Sequence, residues 1–451
     1  MVDRVGVWWL YWTLISLMCF SGAVSNIYFY AIGGDGINVG TYLVFFAALL
    51  SLGLGLSDFP SIVRGVAGRR MMLLIACGFI LGGYYQLGFS REPIVAFKAT
   101  LSFFFLPVSA MGAYVLCRRY PAQFFRLLLI LGGLLAAVGL FQFLLGMSVP
   151  SGWQVLHGEE LLSFWSLGWV RPTAWVGNSI FFSCLMFLMF VLAFQCFLLL
   201  GSGLAGLTSL LTASAIYVAM SRYTIAMSLS VAILFVLWWL FASGKICWRR
   251  LIIFVLSSGL LMIALNYYNG FGVGAPDKAL AQSQSSSSLV FDRFRPSSTH
   301  SQGSNETHAL ETREAVRYIL GDHEWTGWGS QGISASNSII SDGLWFQFAI
   351  ELGAINALLF VGWLFVILFM LILALLNAYR CGVFSKVVRE NEYAFLGVLG
   401  VTLVSYLGYS LLGGFINSSF AGRVSYSLFW VMVGCFFGML DRHKDFGLGN
   451  E

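Results

Sequence analysis

The stretch LWFQFAIELGAINALLFVGWLFVILFMLILALLNAY, residues 344–379, carries one charged side chain, Glu351. At about 1.5 Å per residue a helix of about 36 residues is some 54 Å long, well beyond the roughly 30 Å hydrocarbon layer of a bilayer. The run therefore reads as an interfacial helix over 343–352, a bend near Gly353, and then a membrane span. The whole chain has the same character. Of its 451 residues 59% are hydrophobic and 10% charged, and its mean hydropathy is +0.83, whereas soluble domains carry about a quarter charged residues. Composition makes this an all-α, polytopic integral membrane protein and excludes a soluble fold.

Apolar runs of roughly 20 residues place spans at 7–30, 38–57, 71–89, 99–117, 127–147, 174–199, 202–220, 224–243, 251–268, 353–376, 394–416 and 424–440, about 12 transmembrane helices. The least marked division is LLLGSGLAG, residues 198–206, which must turn without any charge. The run from Val7 is long enough to remain as a span and has no clear small-residue cleavage site, so no cleaved leader is expected. Basic residues cluster at alternate span ends: Arg4; Arg64, Arg69 and Arg70; Arg118, Arg119 and Arg126; Lys245, Arg249 and Arg250; Arg380, Lys386 and Arg389; Arg442 and Lys444. By the positive-inside rule these ends, and both termini, are cytoplasmic. The net charge of +5 thus speaks to orientation and gives no reason to expect nucleic acid as a partner; membrane lipids are the expected surroundings. All eight cysteines fall in apolar runs or beside the cytoplasmic basic loops, with no CxxC or zinc-ligand spacing.

Three regions follow: an N-terminal bundle of about nine helices over 1–268, an external loop over 269–342, and the interfacial helix with spans ten to twelve over 343–451. A loop of about 70 residues is too long to be a simple connection. Its first half, DKALAQSQSSSSLVFDRFRPSSTHSQGSN, reads as a tether that touches lipid at Phe291 and Phe294. Its second half contains THALETREAVRYIL, residues 307–320, with Leu310, Val316, Ile319 and Leu320 on a broad apolar face, Thr307 as N-cap and Gly321 as stop. Arg313 and Arg317, four apart, emerge on one side of that short amphipathic helix.

The outward side also carries Arg91, Lys98, Arg171, Arg222 and Arg423. An arginine beside hydrocarbon is costly unless it snorkels or pairs; Arg91, Lys98 and Arg423 read first as interface anchors, whereas Arg171 and Arg222 read equally as anchors and as site residues. Arg171 lies in RPTAWVGNS, where Pro172 is placed to open the sixth span, with Gly177 and Asn178 about two turns inside. Arg222 lies in SRYTIAM, between spans seven and eight. A guanidinium fork matches phosphate oxygens, and several together can hold a pyrophosphate while negative charge grows on it. The outward segments contain no DxD, HExxH or cysteine ligand set, so neither a metal nor a cofactor is expected. No Asp or Glu falls mid-span, which disfavours ion-coupled transport.

These patches resemble the bacterial O-antigen polymerase (Wzy) and O-antigen ligase superfamily. RPTAWVGNS resembles its arginine-glycine-asparagine patch, giving Arg171, Gly177 and Asn178, and SRYTIAM its serine-arginine turn, giving Ser221 and Arg222. REAVRYILGDHEWTGWGSQG is similar to the loop helix and its following glycine turn, giving Arg313, Gly327 and Gly329. SDGLWFQFAIELGAINALLF is similar to the segment ending in Glu-x-Gly, giving Glu351 and Gly353. Ligases of the superfamily commonly carry a histidine before an asparagine where this chain has Asp342 and Gly343, a departure that favours polymerase.

The resemblance implies a metal-independent inverting glycosyltransferase of the bacterial inner membrane that joins undecaprenyl-diphosphate-linked repeat units on the periplasmic side, with a chain-length regulator and a flippase as partners. Arg171, Arg222 and Arg313, supported by Arg317, would hold the pyrophosphate. Asp342, then Glu324 and His323, are the candidate bases; Glu351 equally fits bracing the helix bend. The alternatives are an O-antigen ligase acting on lipid A core and a flippase or transporter.

Overall fold

The computed structural model describes residues 39–88, 104–145, 172–174, 176, 179–243, 248–270, 353–380, 391–414 and 423–445, together with 6, 9–10, 13–15, 309–310, 312–313, 316–317, 345 and 349. In hydrocarbon every backbone amide must find its partner within the chain, so long apolar runs close into helices. The helices are α1 (Val39–Ser57), α2 (Phe59–Arg64), α3 (Val66–Gly88), α4 (Ser109–Arg119), α5 (Pro121–Leu145), α6 (Ser179–Leu200), α7 (Gly203–Val218), α8 (Arg222–Ser243), α9 (Trp248–Gly270), α10 (Ala354–Arg380), α11 (Asn391–Gly413) and α12 (Arg423–Asp445). The protein is an all-α, multi-pass membrane protein.

Among the described residues seven helices, not twelve, are long and apolar enough to cross a membrane: those over Val66–Tyr84, Pro121–Leu144, Ser179–Leu200, Trp248–Leu265, Ala354–Asn377, Phe395–Gly413 and Val424–Arg442. Shorter apolar helices cover Tyr42–Ser57, Gly203–Val218 and Arg222–Leu237. The expected fourth span differs for a local reason. Pro107 sits in a 3-10 turn, Leu106–Val108, and α4 beyond it has only 11 residues; proline lacks the N–H that a continuous helix would need. Most of the expected first span lies outside the described residues.

The chain groups into two compact units, one formed by the described residues of Met1–Met18, Leu43–Phe124 and Asn305–Glu451, the other by those of Cys19–Tyr42 and Phe125–Ser304. At the centre of the first is α12, whose membrane window is 94% buried. Lipid tails are as apolar as leucine, so helices associate in a membrane through close backbone approach and hydrogen bonds. Gly434 and Gly438, spaced as GxxxG, supply the approach. A Cβ on Gly434 would lie 2.0 Å from the Ala110 carbonyl oxygen, and one on Gly438 would lie 2.5 Å from that of Tyr114. Around this seam aromatic rings interlock: Trp363 of α10 stacks on Trp430 at 5.4 Å, and its Nε1 donates to the Leu74 carbonyl at 3.1 Å.

The same unit is tied at one end by a dipeptide of α12. Asp441 is buried and accepts hydrogen bonds from Ala67 N at 3.0 Å, Gly68 N at 2.7 Å and the Tyr114 hydroxyl at 2.7 Å. Its carboxylate thus serves the open amides of the first turn of α3, where a helix dipole favours negative charge. Arg442 does the converse for α4, donating to the carbonyls of Arg118 at 3.1 Å and Arg119 at 2.8 Å. Nearby, Arg119 pairs with Asp58 at 3.2 Å on the surface.

Most of the interfacial helix expected over 343–352 lies outside the described residues, and Gly353, where a bend is expected, is described. Gly353 has φ +86° and directly precedes α10. Trp345, in helical conformation, is buried, with its Nε1 donating to the Leu411 carbonyl at 3.0 Å.

In the second unit α6 is the central helix, its membrane window 83% buried, whereas that of α9 is 11% buried. Ile252, Val255, Leu256, Leu260 and Ile263 of α9 are all exposed, a surface suited to lipid. The uncharged turn LLLGSGLAG is made by Gly201 at φ +69° and by Ser202, whose hydroxyl oxygen caps Ala205 N. The charge it lacks comes from α9. Arg250 donates to the carbonyls of Leu198 at 2.9 Å and Leu199 at 3.4 Å, which end α6, and a Cβ at position 201 would strike its guanidinium.

Candidate functional site

The expected site residues divide into those the structure describes and those it does not. Arg171, Gly177, Asn178, His323, Glu324, Gly327, Gly329, Asp342 and Glu351 lie outside the described residues. Ser221, Arg222, Arg313, Arg317 and Gly353 are described. Arg222 opens α8 in the second unit; Arg313 and Arg317 are exposed and helical in the first. Leu310 and Val316, expected on the apolar face of that short helix, are 59% and 38% exposed, so the described part of the protein does not cover them.

In the second unit the C-terminal ends of α5, α7 and α9 meet. Leu140, Phe143, Val218, Met220 and Leu265 form one buried apolar cluster. Two polar turns are built beside it, and each contains a non-glycine residue in the left-handed region: Ala174 at φ 41° and Met220 at φ 53°. Such conformations cost of order 1–3 kcal/mol and persist only where the surroundings impose them.

The first turn follows Pro172. The sequence reading has Pro172 opening a helix, but α6 starts at Ser179 and residues 172–176 are not helical. The reason is Gln142. Its Oε1 accepts from Thr173 N at 3.1 Å and from Ala174 N at 2.9 Å, while Val176 N donates to the Thr173 carbonyl at 2.9 Å. A side chain from α5 thus takes up two amides and holds Ala174 in its unusual conformation. Gln142 is nearly fully buried in an apolar helix and reads in sequence as one more span residue, which is why sequence reasoning passes over it.

The second turn joins α7 to α8. Met220 stands where glycine usually ends a helix: Ala219 N donates to the Ala215 carbonyl at 3.0 Å and Met220 N to that of Tyr217 at 3.1 Å. Its side chain is anchored in the apolar cluster, which holds the backbone there. Ser221 is the N-cap of α8, its carbonyl accepting from Ile225 N at 3.0 Å. Its hydroxyl oxygen accepts from the Thr224 hydroxyl at 2.8 Å, and Thr224 in turn meets the Ser183 hydroxyl of α6 at 3.2 Å. Three hydroxyls therefore tie the second turn of α6 to the first turn of α8, which Arg222 opens.

This end of the unit carries Arg222, the half-buried first residue of α8, and, on the strained, well-held turn after Pro172, two buried polar atoms without a hydrogen-bond partner, Gln142 Nε2 and the Thr173 hydroxyl. Such a setting suits an oxygen-rich anion. Among the described residues no three His, Cys, Asp or Glu side chains gather as a metal site. Compared with known protein families and with curated proteins, the chain matches none.

Proposed function

We propose that the protein is a polysaccharide polymerase of the O-antigen polymerase type. It is a multi-pass protein of the bacterial inner membrane with both termini cytoplasmic, and works on its periplasmic side. The donor is a growing glycan on undecaprenyl diphosphate; the acceptor is a sugar hydroxyl of a newly delivered lipid-linked repeat unit. Arg171, Arg222 and Arg313, with Arg317 in support, bind the donor diphosphate. The diphosphate is already a good leaving group, so electrostatic stabilisation of its departure and alignment of the acceptor supply most of the catalysis. Asp342 is the first candidate for the base that takes the acceptor proton, followed by Glu324 and His323.

The observation that carries this reading is the setting of Arg222. It opens a helix at a turn held in left-handed conformation by Met220, next to the Ser183, Thr224 and Ser221 hydroxyls, at the end of the unit where the turn following Arg171 and Pro172 is fixed by Gln142. The test is gene deletion and complementation with Arg171→Ala and Arg222→Ala, checked for protein level. The expected result is loss of polymer with single lipid-linked repeat units retained. Long lipid-linked chains after deletion identify a ligase, and units left on the cytoplasmic face identify a flippase; normal chain length in both variants overturns the assigned roles.

A further inference from the structure

Only half of the Gln142 amide serves the turn after Pro172. Its Oε1 accepts from Thr173 N at 3.1 Å and from Ala174 N at 2.9 Å, and because two N–H groups point at it, that atom is the oxygen. The two Nε2 protons therefore point elsewhere. Neither Nε2 nor the hydroxyl of Thr173 has a hydrogen-bond partner among the described residues, although Gln142 is 4% and Thr173 3% exposed. Gln142 also lies within the membrane span of α5, where an open polar group is costly and polar residues mark ligand paths. The two open atoms belong to residues joined at 3.1 Å, so covalent geometry keeps them within about 8 Å of each other. Two hydrogen bonds of about 2.8 Å and a small polyol group span that reach. In sequence Gln142 falls between Leu140 and Phe143 of the buried apolar cluster, and the described turn, Pro172, Thr173, Ala174 and Val176, carries no charge.

We propose that Gln142 and Thr173 form a sugar-binding subsite: one sugar hydroxyl accepts from Gln142 Nε2, and its neighbour on the ring donates to Thr173 Oγ1. The amide nitrogen offers protons only, whereas the threonine hydroxyl offers one and also accepts. A pair of adjacent hydroxyls answers both. A phosphate oxygen has no proton to give and leaves the lone pairs of Thr173 unused, and a buried, uncharged pair suits a neutral ligand. Which sugar it holds rests on the functional reading above. Thr173 follows Arg171 by two residues, at most about 7 Å along the backbone, so the sugar is the one joined to the diphosphate that Arg171 binds. With both amides of the turn held on Oε1, the Thr173 hydroxyl and Nε2 are set relative to each other before a ligand arrives, the preorganisation that such a subsite needs.

The test measures binding to the full chain in lipid nanodiscs with two probes, farnesyl diphosphate and the same molecule carrying one glucose on its terminal phosphate, alongside thermal unfolding without probe. The wild type is expected to prefer the sugar-bearing probe by about twentyfold, the worth of two hydrogen bonds between neutral groups. Thr173→Val keeps the shape of the side chain and is expected to cut that preference about fivefold, with farnesyl diphosphate bound as before. Its unfolding midpoint is expected to hold or rise, because the change removes a buried hydroxyl that has no partner until a ligand binds. Thr173→Ser is expected to retain the preference. A preference that Thr173→Val leaves intact overturns the subsite, and a lowered midpoint beside it identifies an ordered water as the only occupant. Should Thr173→Val fail to fold, the wild type decides: preference for the sugar-bearing probe supports the subsite and equal affinity overturns it. Where the subsite falls but farnesyl diphosphate still binds, and binds more weakly to Arg171→Ala, the functional reading stands. A wild type that binds neither probe overturns both.

Discussion

Replacing Asp441 with alanine tests whether the first unit is held at one end by its carboxylate. The change removes the acceptor for three buried donors, Ala67 N, Gly68 N and the Tyr114 hydroxyl, at 3.0, 2.7 and 2.7 Å. Each buried donor left without a partner costs about 1–3 kcal/mol. Partial relaxation of the freed tyrosine brings the sum to roughly 3–6 kcal/mol, in line with the loss of one partner from a buried charged network. In a unit of this size that corresponds to a midpoint lower by on the order of 10 °C. The assay is thermal unfolding in detergent followed with a thiol-reactive dye, because Cys117 and Cys435 are free and buried in the same unit and react only when it opens. Asp441→Asn keeps one acceptor oxygen and is expected to lose about half as much. Asp58→Ala is the control. The Arg119 side chain that it pairs with is 52% exposed, and surface pairs contribute about 0–1 kcal/mol. A midpoint for Asp441→Ala no lower than that of Asp58→Ala would refute the reasoning.

Gly434→Leu is expected to prevent accumulation of folded protein, since even a Cβ there would lie 2.0 Å from a carbonyl oxygen of α4; a well-folded variant by size-exclusion chromatography would contradict the close seam. Gly201→Ala combines a φ of +69° with a clash against Arg250, and is expected to lower the unfolding midpoint of the purified protein by several degrees, about 1–3 kcal/mol. Gln142→Met keeps the volume of the side chain but frees Thr173 N and Ala174 N. It is expected to shorten or abolish polymer in the complementation assay while the protein still reaches the membrane, and unaltered chain length would separate that turn from function.

Much of the fold was legible because membrane spans are encoded locally, in runs of apolar residues. Apart from the fourth run, broken at Pro107, the described helices from Val39 to Asp445 follow those runs, and Gly353 is legible in sequence because glycine is the residue that accepts φ +86° without strain. What was not legible depends on partners hundreds of residues apart. Asp441 reads as one more charge beside a basic cytoplasmic cluster, and Arg250 as a positive-inside marker; their roles as caps for α3 and α6 appear only when distant helix ends are brought together. Pro172 misled because its preference for a helix start is weaker than the two hydrogen bonds from Gln142. At the candidate site, SRYT could be read as an arginine-bearing turn, but the contact of its Thr224 hydroxyl with Ser183, some forty residues earlier in sequence, could not.

The Asp441 and Arg442 pair also sets an order for biosynthesis. Tyr114 and Asp441 are 327 residues apart, so α3 and α4 enter the bilayer long before the groups that complete their ends have left the ribosome. Until then the first amides of α3 and the last carbonyls of α4 must be satisfied by water or lipid headgroups, which keeps those ends near the interface. Arrival of α12 exchanges that hydration for a clip of fixed geometry, and quality-control proteases would meet an unlatched unit in any chain halted before that point.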